Sequence, residues 1–315
     1  MSDMLKNVVA RSKLAGTNKL EILLFTLGHD SSSGRKETFG INVFKVREVM
    51  RIPDITRAPD MAPAVVGMVS LRGQLVPVVD LAKYVGVDTE STCEIMIVTE
   101  YNGHTQGFLV GAVDTILRLD WSAMRVPPEM LTAQMGGLVT AVTELPDKRL
   151  VMMLDVEKVL AETTHYDDSH LFAGLKPIET PNKTIFFADD SSVARKQIER
   201  TLDAMEVKYI SAINGRQAWD ELQRLAAQAE AANIPMTDII QLILTDVEMP
   251  EMDGYVLTKF IKSDQRFKGI PVLMHSSLSS AANQQLGLNV GVDEYVPKFE
   301  PHKLAATLAR RLASS

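Results

Sequence analysis

The sequence predicts two domains of different class, an all-β half followed by an α/β half built on a parallel sheet. Three observations carry this. Up to Leu154, apolar residues alternate in short runs broken by Gly and Pro, the texture of small barrels and not of a parallel sheet. From Thr184 onward, short continuous apolar runs take turns with amphipathic helical stretches, as β-α units do. Between Thr163 and Lys183, Gly174, Pro177 and Pro181 break any regular period, which marks a linker.

In chain order, residues 1–17 carry weak apolar pattern and form an N-terminal arm. Leu20, Ile22 and Leu24 alternate, as do Phe39, Ile41 and Val43, with the polar loop His29–Gly34 between them; this is the period of half-buried strands. Further strands are expected at Val65–Leu71, Gln74–Val79, Ile95–Thr99, Gly107–Val113, Thr115–Leu119, Leu138–Val142 and Leu150–Leu154, with a closing helix at Val156–Ala161. Arg72-Gly73 separates two β-rich runs, so Arg72 should stand at an exposed strand end beside a tight turn. From physics alone, a hairpin whose Arg is only solvated is the simpler reading.

In the second half, Ser191 or Ser192 can cap a helix that places Ala194, Ile198, Leu202 and Met205 on one face. Val207–Ala212 is a strand, and Asn214-Gly215 opens a long helix to about Ala232. The pairs Val256/Phe260 and Leu257/Ile261 support the next helix, and Leu304, Leu308 and Leu312 stripe the last. Chemistry gathers at the ends of the apolar runs. Thr184–Ala188 runs into Asp189 and Asp190, Leu242–Leu244 into Asp246, Pro271–His275 into Ser276, and Glu294–Pro297 into Lys298. One Asp after a strand is most simply a turn or cap residue. Strand ends of a parallel sheet share one edge, however, so three carboxylates, a hydroxyl and an ammonium should converge there. Clustered carboxylates repel unless a cation joins them, and oxygen-only ligands favour a hard ion, Mg²⁺ above all.

The order Asp-Asp, Asp246-Val-Glu-Met-Pro-Glu-Met-Asp-Gly254, Ser276, Lys298 resembles the receiver domain of two-component response regulators. The resemblance implies a flavodoxin-like fold with strand order 2-1-3-4-5, a phosphoacceptor at Asp246, and a Mg²⁺ site from Asp189, Asp190, Asp246 and the main-chain carbonyl of Glu248. Tyr295 takes the aromatic switch position, with plain edge-strand packing as the alternative. A carboxylate can attack phosphorus to form an acyl phosphate, with Lys298 supplying positive charge and Ser276 a hydroxyl donor. Pro297 has no amide hydrogen and suits an edge strand. The Pro usual directly after the Lys is absent, Phe299-Glu300 standing there. Glu248 and Leu278 should flank the path of a hydrolytic water, and an acidic and an apolar side chain there predict slow self-dephosphorylation.

Leu71-Arg-Gly-Gln-Leu-Val-Pro-Val-Val-Asp80, Phe39–Val49, Gln106–Val110 and Val151–Asp155 resemble the CheW family of chemotaxis coupling proteins. This implies two linked five-stranded SH3-like barrels over residues 18–162 that contact chemoreceptor tips and the histidine kinase CheA, with Arg72 as an interface residue. The linker is then 163–183 and the receiver 184–315. A coupling domain followed by a receiver is the arrangement of CheV-type proteins, and the whole chain resembles it. The implied role is an adaptor between receptors and CheA, modulated by phosphorylation of Asp246. A phosphate sink whose barrels only localise it is the alternative. A strand-end-Asp phosphatase of the haloacid dehalogenase type is a third reading, and it needs an Asp where Glu248 stands.

Composition excludes other classes. The 315 residues carry 33 basic and 40 acidic side chains, net charge -7, which argues against non-specific binding to nucleic acid or anionic membranes. No basic stripe or helix-turn-helix segment accompanies the receiver pattern. Cys93 is the single cysteine, which excludes an intrachain disulfide and fits a reducing, cytoplasmic setting; it should pack on a strand. The 6 His residues show no metal spacing, and no apolar run approaches membrane-spanning length.

Overall fold

The computed structural model describes residues 19–28, 36–57, 61–89, 93–101, 104–163, 171–179, 182–276, 287–298 and 300–313. The expected N-terminal arm, the loop His29–Gly34, Leu278 and Phe299 lie outside the described residues. The chain divides into two compact units, Met1–His165 and Tyr166–Ser315.

The first unit holds two mixed five-stranded sheets. Its strands are β1 Lys19–Thr26, β2 Thr38–Asn42, β3 Val46–Arg51, β4 Val65–Leu71, β5 Gln74–Asp80, β6 Ile95–Tyr101, β7 His104–Val110, β8 Ala112–Asp120, β9 Val139–Glu144 and β10 Leu150–Leu154. They assemble in the orders β8-β1-β2-β10-β9 and β3-β6-β7-β5-β4. Each sheet contains one parallel neighbour pair, β2 with β10 and β7 with β5, and the rest are antiparallel. The two sheets thus repeat one pattern. Leu20, Ile22, Leu24, Val151 and Met153 fill one core, and Val69, Val76, Val78, Met96 and Val98 the other.

Sequence alternation understated β1. Leu23 and Phe25 are buried as well, and the Phe25 ring stacks on Phe39 at 6.1 Å, so this strand packs on both faces. The break between β7 and β8 falls at Gly111, where a side chain would meet the Gly28 nitrogen at 2.8 Å. Three short helices complete the unit: α1 Leu81–Val85, α2 Glu129–Gln134 and α3 Val156–Thr163. The buried Glu157 of α3 pairs with Lys45 at 2.9 Å, tying the closing helix to the turn between β2 and β3. Cys93 packs half-buried against the second core, and burial, helped by Asp80, raises its thiol pKa.

The second unit is a parallel sheet of β11 Thr184–Ala188, β12 Lys208–Ala212, β13 Leu242–Thr245, β14 Val272–Ser276 and β15 Glu294–Pro297, in the order β12-β11-β13-β14-β15. This is 2-1-3-4-5, and Pro297 sits on the edge strand. Its helices among the described residues include α4 Ser192–Ala204, α5 Gly215–Ala232, α6 Met236–Ile239, α7 Gly254–Ser263 and α8 Pro301–Ala313. Ser191 caps α4, Asn214 accepts from the Gln217 amide at 2.8 Å to cap α5, and Asp253 caps α7 by accepting from Tyr255 and Val256. One core lies on each face of the sheet: Phe186, Ile243, Leu257 and Ile261 on one side, Phe187, Leu202, Leu244 and Leu308 on the other.

Residues 171–179 belong to this packing. Leu175 and Ile178 lie on the second core, the Ile178 amide donates to the Met205 carbonyl at 3.0 Å, and Arg200 covers the Phe172 ring at 3.9 Å. Gly174 and Pro177 interrupt any helix or strand here, yet Phe172, Leu175 and Ile178 meet the receiver.

Candidate functional site

Four strand ends deliver the site. Asp189 and Asp190 follow β11, Asp246 follows β13, Ser276 ends β14 and Lys298 follows β15. Backbone bonds carry the sheet into it. The Asp246 amide donates to the Ala188 carbonyl at 2.8 Å, Asp189 to Ala212 at 3.2 Å, and Lys298 to Ser276 at 3.3 Å.

Lys298 Nζ stands 2.8 Å from Asp189 Oδ2 and 3.0 Å from Asp246 Oδ2. All three residues are buried, as is Ser276. The second carboxylate oxygen of each Asp takes a local amide: Ser191 N–H donates to Asp189 Oδ1 at 2.9 Å, and Val247 N–H to Asp246 Oδ1 at 2.7 Å. One oxygen of each is thus used to fix the carboxylate while the other faces Lys298. Asp190, half-buried, completes a set of three carboxylates whose oxygens lie within 4.8 Å of one another.

Three carboxylates against one ammonium leave the pocket negative. Burial pushes the Asp246 carboxyl well above the usual range; Lys298 opposes this, while Asp189, Asp190 and Glu248 push it further up. An all-oxygen, electron-rich donor set of this kind fits a hard divalent cation. The loop after Asp246 is held close by Gly254, whose amide donates to the Val247 carbonyl at 3.0 Å. A side chain at Gly254 would stand 2.0 Å from the Asp246 carbonyl oxygen, so only glycine lets α7 begin here.

Two other candidates lie elsewhere. Tyr295 is half-buried on β15, its Oη 3.4 Å from Tyr255 Oη, against the cluster of Val247, Met274 and Val292. Arg72 belongs to the first unit. It opens the two-residue turn between β4 and β5 with φ 50°, followed by Gly73 at 82°, and its exposed guanidinium pairs with Glu48 at 3.0 Å.

Sequence reasoning missed His275, buried next to Ser276 on β14. Among the described residues its Nδ1 has no hydrogen-bond partner, and burial, then the Lys298 charge, lowers its pKa to about 3. As a single polar residue at the end of an apolar run, beside Ser276, it gave no pattern to detect. Tyr255 was missed for the same reason, hidden in an amphipathic helix.

Family comparisons divide the chain as the fold does. The CheW-like domain matches residues 21–164, and the response regulator receiver domain matches residues 185–309. Chemotaxis protein CheV3 of Helicobacter pylori is 29% identical over 285 residues, covering 87% of this chain and 88% of that one. The chain is a CheW-like domain followed by a response regulator receiver domain, and its relatives over most of its length include CheV proteins at 26–29% identity. Each half of the chain also has single-domain relatives. Chemotaxis protein CheW of Klebsiella aerogenes is 31% identical over 154 residues, 48% of this chain and 87% of its own. Chemotaxis protein CheY1 of Helicobacter pylori is 33% identical over 126 residues, 39% of this chain and 92% of its own. These matches support a chemotaxis adaptor role, and among the described residues no helix is long and apolar enough to cross a membrane.

Proposed function

We propose that this adaptor couples chemoreceptor tips to the kinase CheA through its CheW-like unit, and that phosphorylation of Asp246 modulates the coupling. The observation that carries the proposal is the placement of Lys298 within 3.0 Å of both Asp189 and Asp246 at one edge of the sheet. The protein acts as a stoichiometric phosphoacceptor with slow self-dephosphorylation, at receptor arrays on the cytoplasmic face of the membrane. A carboxylate oxygen of Asp246 attacks the phosphorus of a phosphohistidine. The O–P bond forms as the N–P bond breaks, and the imidazole leaves and takes up a proton. Asp189, Asp190, Asp246 and the Glu248 carbonyl would hold Mg²⁺, which would supply positive charge to keep Asp246 ionised and to offset the phosphoryl oxygens. Lys298 and Ser276 each donate to a phosphoryl oxygen of the product. Tyr295 carries the change to the surface, and Arg72 serves the coupling interface.

Reconstitution of receptor, kinase and this protein tests the proposal. Asp246→Asn should abolish labelling from phospho-CheA, Asp190→Ala should lose Mg²⁺ binding, and a chelator should stop transfer to the wild type. Full-rate labelling in chelator refutes the metal-dependent mechanism. Labelling that drains the kinase without changing receptor-dependent activity identifies a phosphate sink and refutes the modulation.

A further inference from the structure

We infer that Arg195 is a positioning residue of the cation site, acting by clamping the backbone that carries Asp189 and Asp190. The inference rests on the metal reading above. Arg195 Nη1 donates to the main-chain carbonyl of Asp189 at 2.8 Å and to that of Asp190 at 2.9 Å. One guanidinium nitrogen therefore bridges two successive carbonyls at the junction of β11 and α4. Bonds from a charged donor are shorter and stronger than neutral ones, so this junction is held more firmly than a turn of its own amides would be.

Every other effect argues against a cation at this place. Arg195 lies near the start of α4, where the positive end of the helix dipole disfavours it. Its guanidinium is half-buried, which costs rotamer freedom. By Coulomb's law, a fixed positive charge beside a divalent-cation site weakens binding there. The gain is geometric. Asp189 is oriented by the Ser191 amide and by Lys298. Asp190 is the half-buried member of the carboxylate set, and Arg195 holds its main-chain carbonyl as well as that of Asp189, so the backbone from which both carboxylates project is fixed by one side chain. The two effects have opposite signs. Positioning makes Arg195 strengthen cation binding, whereas its charge alone would weaken it.

That opposition makes the test decisive. The full chain is titrated with Mn²⁺, an octahedral oxygen-site probe for Mg²⁺, and free Mn²⁺ is read by its electron paramagnetic resonance signal. Arg195→Met removes charge and fork together, and binding should weaken about tenfold, the usual cost of losing a group that orients a ligand. Arg195→Lys, which keeps the charge, should fall between wild type and Arg195→Met. With Asp190 misaimed, bound Mn²⁺ in Arg195→Met should carry an extra water, seen as added line broadening in ¹⁷O-enriched water. Circular dichroism checks folding, and Arg195→Gln makes the same comparison should Arg195→Met fail to fold. A wild type that takes up no Mn²⁺ overturns the metal reading and this inference together. A wild type that binds while both neutral variants bind as tightly or more tightly overturns the inference alone.

Discussion

Replacing His275 with leucine should remove a pH dependence that the buried imidazole imposes on the receiver unit. The ring is buried, its Nδ1 has no hydrogen-bond partner among the described residues, and burial, reinforced by Lys298, lowers its pKa to about 3. In the unfolded chain a histidine titrates near ~6.5. Between those values the unfolded state holds a proton that the folded state refuses, so folding stability falls as pH falls from ~6.5 towards ~3. The slope is about 1.4 kcal/mol per pH unit, so roughly 2 kcal/mol is lost by pH ~5 and on the order of 5 kcal/mol by pH ~3. Asp246 works in the opposite sense: its carboxyl is raised in the fold, so the burden of its charge lifts as pH falls. Both proteins share that contribution, and their difference isolates His275. The assay is urea unfolding in chelator at several pH values between 4.5 and 7.5, in a Trp121→Phe background that leaves Trp219 to report the receiver unit. His275→Leu should lose stability with a shallower slope below pH ~6.5, the gap from the parent reaching about 2 kcal/mol at pH ~5. Parallel profiles refute the reasoning, because they mean the imidazole is protonated in the fold or reached by water.

Gly254→Ala places a methyl group 2.0 Å from the Asp246 carbonyl oxygen, a backbone atom that cannot swing aside. The receiver should lose about 1–3 kcal/mol in urea unfolding, with slower labelling of Asp246 from phospho-CheA. Arg72→Glu replaces an exposed cation that pairs with Glu48 by an anion facing it; receptor-dependent kinase activation should fall while Asp246 is labelled at the wild-type rate. Glu248→Asn removes an acidic group whose charge reaches Asp246, and acyl-phosphate decay should change measurably in a chase experiment. Phe172→Ala removes the ring under Arg200 and should lower receiver stability by about 1 kcal/mol, read by the same Trp219 signal.

The fold was legible wherever burial imposed a period or an end signal. The parallel sheet announced itself because its central strands β11, β13 and β14 are buried on both faces and run into polar residues, and Asn214 marked a helix start through the side-chain oxygen it offers to a free amide. The first unit was legible as many short strands, less so in its limits. β1 is buried on both sides, so Leu20, Ile22 and Leu24 described only one of its faces. The β7–β8 break depends on Gly111 meeting another segment's backbone, a contact between distant residues that no local pattern encodes. The short helix Leu81–Val85 was missed because it is too brief to show a period, although Asp80 caps it.

The site divides in the same way. Asp189, Asp190, Asp246 and Lys298 could be placed together before any coordinate because each follows an apolar run, and parallel strands bring such ends to one edge. What the sequence could not disclose is how each carboxylate is aimed. The Ser191 and Val247 amides that hold Asp189 and Asp246 are backbone groups, which every residue carries. Arg195 reads in the sequence as an ordinary helical cation, and only the fold shows its nitrogen reaching back to two carbonyls. His275 is the reverse case, a polar residue in an apolar strand whose cost appears only when its burial and the lack of an Nδ1 partner among the described residues are known. Residue type and spacing therefore place the charges of this pocket. Their orientation rests largely on backbone groups whose identity carries no chemical signal.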